Sequence, residues 1–239
     1  SNVSAEGHAR DTTLSKECVL RFLFGGRLLS DLETLAQVGI GDGAVVDVVV
    51  CRARLALTAS ADKTAKVWNA ETGECLSTIQ GHSKAVTCVI ASPDGEHYLT
   101  SSDDKTAKIW EAKSGQCLHD LCGHKTAVSS VDLAPDGSLV ATASTDATAA
   151  LWNFSTGALV RTLVGHSGAL RTAVFSPSGE LLATASTDCT ARVWNSQTGE
   201  CISVLFGHEA PLRSVAWAPL GKHLVSSSMD CSAKWWDME

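Results

Sequence analysis

Four copies of one constellation stand in this chain, each a histidine followed at fixed distances by a serine, an aspartate and a tryptophan. They are His82, Ser102, Asp104 and Trp110; His124, Ser144, Asp146 and Trp152; His166, Ser186, Asp188 and Trp194; and His208, Ser228, Asp230 and Trp236. Serine, histidine and aspartate are the parts of a hydrolase, in which histidine activates the serine and aspartate orients the histidine. Repetition argues against that chemistry, because one substrate needs one constellation whereas a packing device is needed in every structural unit. The histidines also come once per copy rather than clustered at ligand spacing, so no metal site is expected. The expectation is no catalytic residue, no metal and no cofactor, with a serine hydrolase built on one set as the remote alternative.

The elements that hold these residues are set by a ruler. Tryptophan recurs at Trp68, Trp110, Trp152, Trp194 and Trp236, always forty-two residues apart. Aspartate keeps the same step from Asp62 to Asp230, and Gly-His does so from Gly81-His82 to Gly207-His208. Such a period marks a small supersecondary unit that gains a core only by packing on its neighbours. In the third copy, short apolar runs at 127–133, 138–144, 148–153 and 158–163 are separated by Pro135-Asp136-Gly137, Thr145-Asp146 and Thr156-Gly157. Proline fixes φ and glycine accepts φ above zero, so these are turns and the runs are strands. Short strands with a turn every eight to twelve residues describe an all-β sandwich, barrel or propeller, and the repeat selects the propeller.

The punctuation recurs as Ser92-Pro93-Asp94-Gly95, Ala134-Pro135-Asp136-Gly137, Ser176-Pro177-Ser178-Gly179 and Ala218-Pro219-Leu220-Gly221. Copies close on Trp68-Asn69, Trp152-Asn153, Trp194-Asn195 or Trp236-Asp237. Over about residues 54–239 these motifs resemble the WD-repeat family. The resemblance implies an all-β propeller of five four-stranded blades, the first and last incomplete in sequence, as an open or fragmentary ring. Seven blades are familiar in that family, so a fragment of a larger ring is one expectation. It also implies a relay in each blade, aspartate holding histidine, histidine meeting the serine hydroxyl and serine meeting the indole N–H. The first copy keeps Ser60, Asp62 and Trp68 but has Ile40 where the histidine belongs, which makes it the weakest blade.

The family's partner-facing ring maps onto Ala61; Ala85, Thr87 and Asp103; Ala127, Ser129 and Thr145; Ala169, Arg171 and Thr187; and Pro211, Arg213 and Met229. The binding candidates are Thr87, Asp103, Ser129, Arg171, Arg213 and Met229. Arg171 and Arg213 occupy equivalent places in adjacent copies, and two guanidinium forks suit a carboxylate or phosphate. The expected partner is a protein or peptide, acidic or phosphorylated.

The chain divides into a polar stretch at 1–17, a segment at 18–50 and the repeat region at 51–239. The middle segment, from Arg21-Phe22-Leu23-Phe24-Gly25-Gly26-Arg27 through Asp31-Leu32-Glu33 and Gly39-Ile40 to Val50, resembles the C-terminal half of the ubiquitin-like fold. It lacks the first hairpin and the main helix, and no diglycine tail follows Val50. A rival reading lends its strands to the propeller, 44–50 to the first blade and 18–25 to the last, because an unpaired sheet edge is a liability. The net charge of −7 disfavours nucleic acid, and the run 44–51, broken by Asp47, is too short to span a membrane. Nine cysteines without a CxxC pair read as reduced thiols in a cytoplasmic or nuclear protein. An interaction scaffold ranks first, and a substrate-recruiting adaptor in ubiquitin signalling second.

Overall fold

The computed structural model describes residues 54–238 in full and, before them, the backbone of three strands. The chain forms two compact units, residues 1–56 with 69–74, and residues 57–68 with 75–239. In the first unit, β1 (Cys18–Phe24) lies between β2 (Arg27–Leu28) and β3 (Asp47–Arg52), with both pairings antiparallel. Leu23 opposes Leu28 across the Gly-Gly link, and Leu20 opposes Val50. The strands considered for loan to the propeller pair here with each other. Residues 1–17, 25–26, 29–46 with Ile40 among them, 53 and 239 lie outside the described residues.

Five further sheets follow, one per copy, all antiparallel and without a helix among the described residues. Blade 1 holds β4 (Leu55–Ala59), β5 (Thr64–Asn69) and β6 (Cys75–Gln80). Blade 2 holds β7 (Val86–Ala91), β8 (His97–Ser102), β9 (Thr106–Glu111) and β10 (Cys117–Cys122). Blade 3 holds β11 (Val128–Leu133), β12 (Leu139–Ser144), β13 (Thr148–Asn153) and β14 (Leu159–Val164). Blade 4 holds β15 (Leu170–Phe175), β16 (Leu181–Ser186), β17 (Ala191–Asn195) and β18 (Cys201–Leu205). Blade 5 holds β19 (Leu212–Trp217), β20 (His223–Ser228) and β21 (Ala233–Asp237). The expected five blades with short first and last members are what the sheets show, and among the described residues the ring is not closed.

Each turn has a local cause. The asparagine after the blade tryptophan folds its own corner: Asn195 Oδ1 accepts the amides of Gln197 at 2.9 Å and Thr198 at 2.8 Å. Such asparagine-centred turns compete well with extended backbone. At the opposite corner the residue after the repeat aspartate has positive φ, at Lys63, Lys105, Ala147, Cys189 and Cys231. No glycine supplies that conformation; the aspartate does, with Asp188 Oδ1 accepting from the Thr190 amide at 3.0 Å and hydroxyl at 2.7 Å.

The core lies in the seams between blades. Ala141, Ala143, Ala149, Leu151 and Leu163 of blade 3 pack on Leu170, Ala173, Leu182 and Trp194 of blade 4. Ile109 and Leu121 meet Val131, Val140 and Trp152 one seam earlier, and Val193 meets Leu212, Val215 and Leu224 one seam later. Alternation along each strand therefore gives every blade a trailing face of small residues and a leading face that carries the tryptophan. The inner strands are also tied laterally. The Phe175 N–H donates to Asp132 Oδ2 at 2.7 Å, and the Val215 N–H donates to Thr172 Oγ1 at 3.3 Å.

Candidate functional site

The Gly-His loop reaches its place because glycine clears the tryptophan. A Cβ on Gly123 would stand 3.0 Å from Trp152 Cη2, and one on Gly81 would stand 2.8 Å from Trp110 Cη2. The following histidine then lies edge-on to that ring, with centroids 6.2 Å apart for His82 and Trp110 and 6.3 Å for His124 and Trp152. Its Nδ1 meets the aspartate: 2.8 Å for His82 and Asp104, 3.1 Å for His124 and Asp146, 2.7 Å for His166 and Asp188, and 2.7 Å for His208 and Asp230.

The hydroxyl of the relay is not the one expected from the sequence. His82, His124 and His166 place Nε2 against Thr100, Thr142 and Thr184 at 2.8, 2.8 and 2.9 Å, and His208 meets Ser226 at 2.8 Å. The indoles of Trp110, Trp152, Trp194 and Trp236 donate to those same four hydroxyls. Ser102, Ser144, Ser186 and Ser228 lie two residues further on and meet no histidine. Ser102 Oγ donates to Ala85 O at 2.7 Å and accepts from the Asp104 N–H at 3.1 Å. Ser144, Ser186 and Ser228 tie the same corner to Ala127, Gly168 and Ala210. The missed residues do carry a signal, since Thr58, Thr100, Thr142, Thr184 and Ser226 keep the forty-two-residue step.

The proton pattern follows from the donors. Each indole N–H donates to the hydroxyl, the hydroxyl donates to Nε2, and the histidine is left with its N–H on Nδ1, donating to the carboxylate. In blade 5 this is an aspartate–histidine–serine arrangement, but Ser226 Oγ is already engaged by Trp236 and the residue is 0 % exposed. A nucleophile must reach its substrate, and that serine is sealed.

Burial pushes His82 and His166 below the ordinary histidine value, against the pull of Asp104 and Asp188. Burial also opposes ionisation of those carboxyls. The Thr106 hydroxyl, the Ser83 amide and His82 nevertheless bring Asp104 down to about 2, and the Thr190 hydroxyl, His166 and the Ser167 amide do the same for Asp188. Both shifts have one sign. A depressed histidine contributes stability above 6.5 that is lost as pH falls below it, and a depressed aspartate contributes stability above 3.8 that is lost toward about 2. Asp132, pushed up by burial, acts in the opposite sense over its own range. The urea midpoint is expected to drop in two steps on acidification, and His166→Gln should shrink the step nearer neutrality. A midpoint flat down to the carboxylate range would contradict the neutral-histidine relay.

The partner-ring candidates gather at the end of the blades that holds the relay corner. The amides of Asp103, Thr145, Thr187 and Met229 donate to the carbonyls of Ala85, Ala127, Ala169 and Pro211, which places each corner beside the start of its inner strand. Thr87, Ser129, Arg171 and Arg213 share one further device: each is the extra residue of a β-bulge, between residues that pair normally on either side. A bulge re-aims a side chain at a sheet end. The structure separates these four into two kinds. Thr87 Oγ1 donates to Val128 O at 2.6 Å and Ser129 Oγ donates to Leu170 O at 2.8 Å, so both hydroxyls stitch blades together. Arg171 and Arg213 are exposed, as are Asp103 and Met229, and neither guanidinium hydrogen-bonds or ion-pairs to another described residue.

Among the described residues no group of three or more metal-ligating side chains occurs, and no helix is long and apolar enough to cross a membrane. The family model for the WD40 repeat (WD domain, G-beta repeat) matches residues 73–111, 115–153, 157–195 and 199–237, more than half of the chain. The chain belongs to the WD40 repeat family. Individual relatives match single stretches of it. The nuclear distribution protein PAC1 of Arthroderma benhamiae is 51% identical over 45 residues, 19% of this chain and 10% of that protein. WD repeat-containing protein 25 of Mus musculus is 48% identical over 52 residues, 21% of this chain and 10% of that protein. Mitogen-activated protein kinase kinase kinase A of Dictyostelium discoideum is 54% identical over 33 residues, 14% of this chain and 4% of that protein. The matches span a tenth or less of these curated relatives. WD40 repeats indicate a protein-interaction scaffold.

Proposed function

We propose that this WD40 chain is a non-enzymatic scaffold whose relay-side end binds an acidic or phosphorylated peptide through Arg171 and Arg213. The observation that carries the reading is a substitution within the repeat. At the bulge where Thr87 and Ser129 use their hydroxyls to stitch neighbouring blades, blades 4 and 5 present guanidinium groups that stitch nothing. The two inner strands are adjacent, since Thr172, next to Arg171, bonds the amide of Val215, two residues beyond Arg213. Two forks on neighbouring strands suit one planar carboxylate or one phosphate, and hydrogen bonds to such charges contribute roughly 1.5–3 kcal/mol each. Fluorescence anisotropy with a labelled peptide bearing glutamates or phosphoserine tests the proposal. Arg171→Ala with Arg213→Ala should weaken binding by about 10-fold or more and flatten its salt dependence. Equal affinity for the double variant, or equal affinity for a neutral peptide, would remove the arginine pair from the reading.

A second reading, an adaptor in ubiquitin signalling, draws support from the sheet of the first unit. The three strands named by the ubiquitin-like resemblance form one sheet in the order β2-β1-β3. A pull-down that recovers neither ubiquitin nor a ligase subunit would set it aside. The free cysteines among the described residues, Cys75 through Cys231, support a cytoplasmic or nuclear setting.

A further inference from the structure

The Pro-x-Gly corners lie at the end of the blades away from the relay: in blade 2, Val86 pairs with Ser102 at the relay end and Ala91 pairs with Tyr98 at the other. Along two seams, neighbouring corners close on each other. A Cβ on Gly179 of blade 4 would stand 3.4 Å from Pro135 of blade 3, and one on Gly221 of blade 5 would stand 3.6 Å from Pro177 of blade 4. The seam between blades 2 and 3 breaks that pattern. A Cβ on Gly137 would meet nothing within 4 Å among the described residues, although Gly137 and Pro93 line one cavity.

That cavity has a volume of about 350 Å³. Pro93, Leu133, Pro135 and Phe154 supply its apolar wall, and Asp94 of blade 2 and Asp136 of blade 3 supply its charge. Phe154 is peculiar to this copy, since Ala70, Ala112, Ser196 and Met238 hold its place elsewhere. Its ring crosses the seam and lies edge-on to His97 of blade 2, with centroids 5.1 Å apart. Both carboxylates are charged at neutral pH. The Ser92 hydroxyl holds Asp94, and the Ser138 amide holds Asp136, below the ordinary carboxylate value. No lysine or arginine is among the described residues that line the cavity.

We propose that this cavity takes an arginine side chain from a protein or peptide partner. The volume sits at the low end of ligand pockets, roughly 300–1,000 Å³, which suits one long side chain. A guanidinium lies against an aromatic or apolar wall and donates in its plane to carboxylates on either side, whereas an ammonium is compact and strongly hydrated. The methylene stem covers the prolines and Leu133. Because the two carboxylates come from different blades, only this seam presents both. This site is separate from the Arg171–Arg213 pair at the relay end, so the chain can hold a basic segment at one end and an acidic one at the other.

Nuclear magnetic resonance titration of the labelled chain with a blocked alanine-glycine peptide carrying one arginine tests this. Saturable shifts are expected at the amides of Gly137 and Phe154. Asp94→Asn with Asp136→Asn keeps acceptors for the turn amides and should weaken binding about 10-fold or more. Phe154→Ala installs the residue that two other copies carry and should weaken it roughly 2- to 5-fold. Arg171→Ala with Arg213→Ala should leave this affinity unchanged, which separates the two sites. No saturable shift at Gly137 and Phe154, unchanged affinity in the double asparagine variant, or equal affinity for peptides with norleucine or lysine in place of arginine would each overturn the proposal.

Discussion

Thr184→Val is expected to destabilise the protein by about 2–5 kcal/mol, far more than Ser186→Ala. Valine keeps the shape of threonine but removes a hydroxyl that serves two buried partners, the Trp194 N–H and His166 Nε2, both at 2.9 Å. Thr184 and Ser186 are 0 % exposed, so no water replaces the lost partner. Stranding one buried polar group costs roughly 1–3 kcal/mol, and two are stranded here. Ser186 Oγ makes local links to the Asp188 N–H and Gly168 O, and its loss should cost about 1 kcal/mol. Thr58→Val is the internal control. It deletes the same indole bond at an exposed site and should cost no more than about 0.5 kcal/mol. Equilibrium unfolding in urea reads all three, and Ser186→Ala costing as much as Thr184→Val would return the relay to the serine.

That contrast shows what the residues alone could tell. The forty-two-residue step, the Pro-x-Gly corners and the alternation within each run placed the strands of the third copy within a residue of their ends, because turn chemistry and burial are local and repeat in every copy. The choice of hydroxyl was not local. Thr184 and Ser186 are two apart on β16 and so share a face; only the pairing of β16 with its neighbours decides which lies opposite the histidine. The bulges were hidden for the same reason. Nothing in Leu170-Arg171-Thr172 announces that Leu170 pairs with Ser186 while Thr172 pairs with Ala185, leaving Arg171 re-aimed. The left-handed corners at Ala147 and Cys189 are hidden because the aspartate just before each, accepting from the amide two residues on, rather than a glycine, stabilises them. The seam role of Asp132 depends on a partner amide forty-three residues away, a relation that no turn or strand signal encodes.

Leu151→Ala should cost about 3–5 kcal/mol, the upper range for deleting a buried leucine. Its surroundings explain why the site relaxes poorly. Leu151 is 0 % exposed among Ala141, Ala143, Ala149, Leu163 and Leu170, and the alanines have no longer side chain to swing into the gap. Those neighbours sit on hydrogen-bonded strands of two blades, so closing the cavity would require one sheet to move toward the other. Trp235→Ala, at the same repeat position, removes a larger side chain yet should cost within about 1 kcal/mol, because the ring is largely in water and among the described residues its aromatic neighbour is His223, 5.0 Å away. Equilibrium unfolding in urea reads both variants. Residues of one template therefore differ in worth by whether a blade stands behind them, and a Trp235→Ala cost as large as that of Leu151→Ala would overturn that rule.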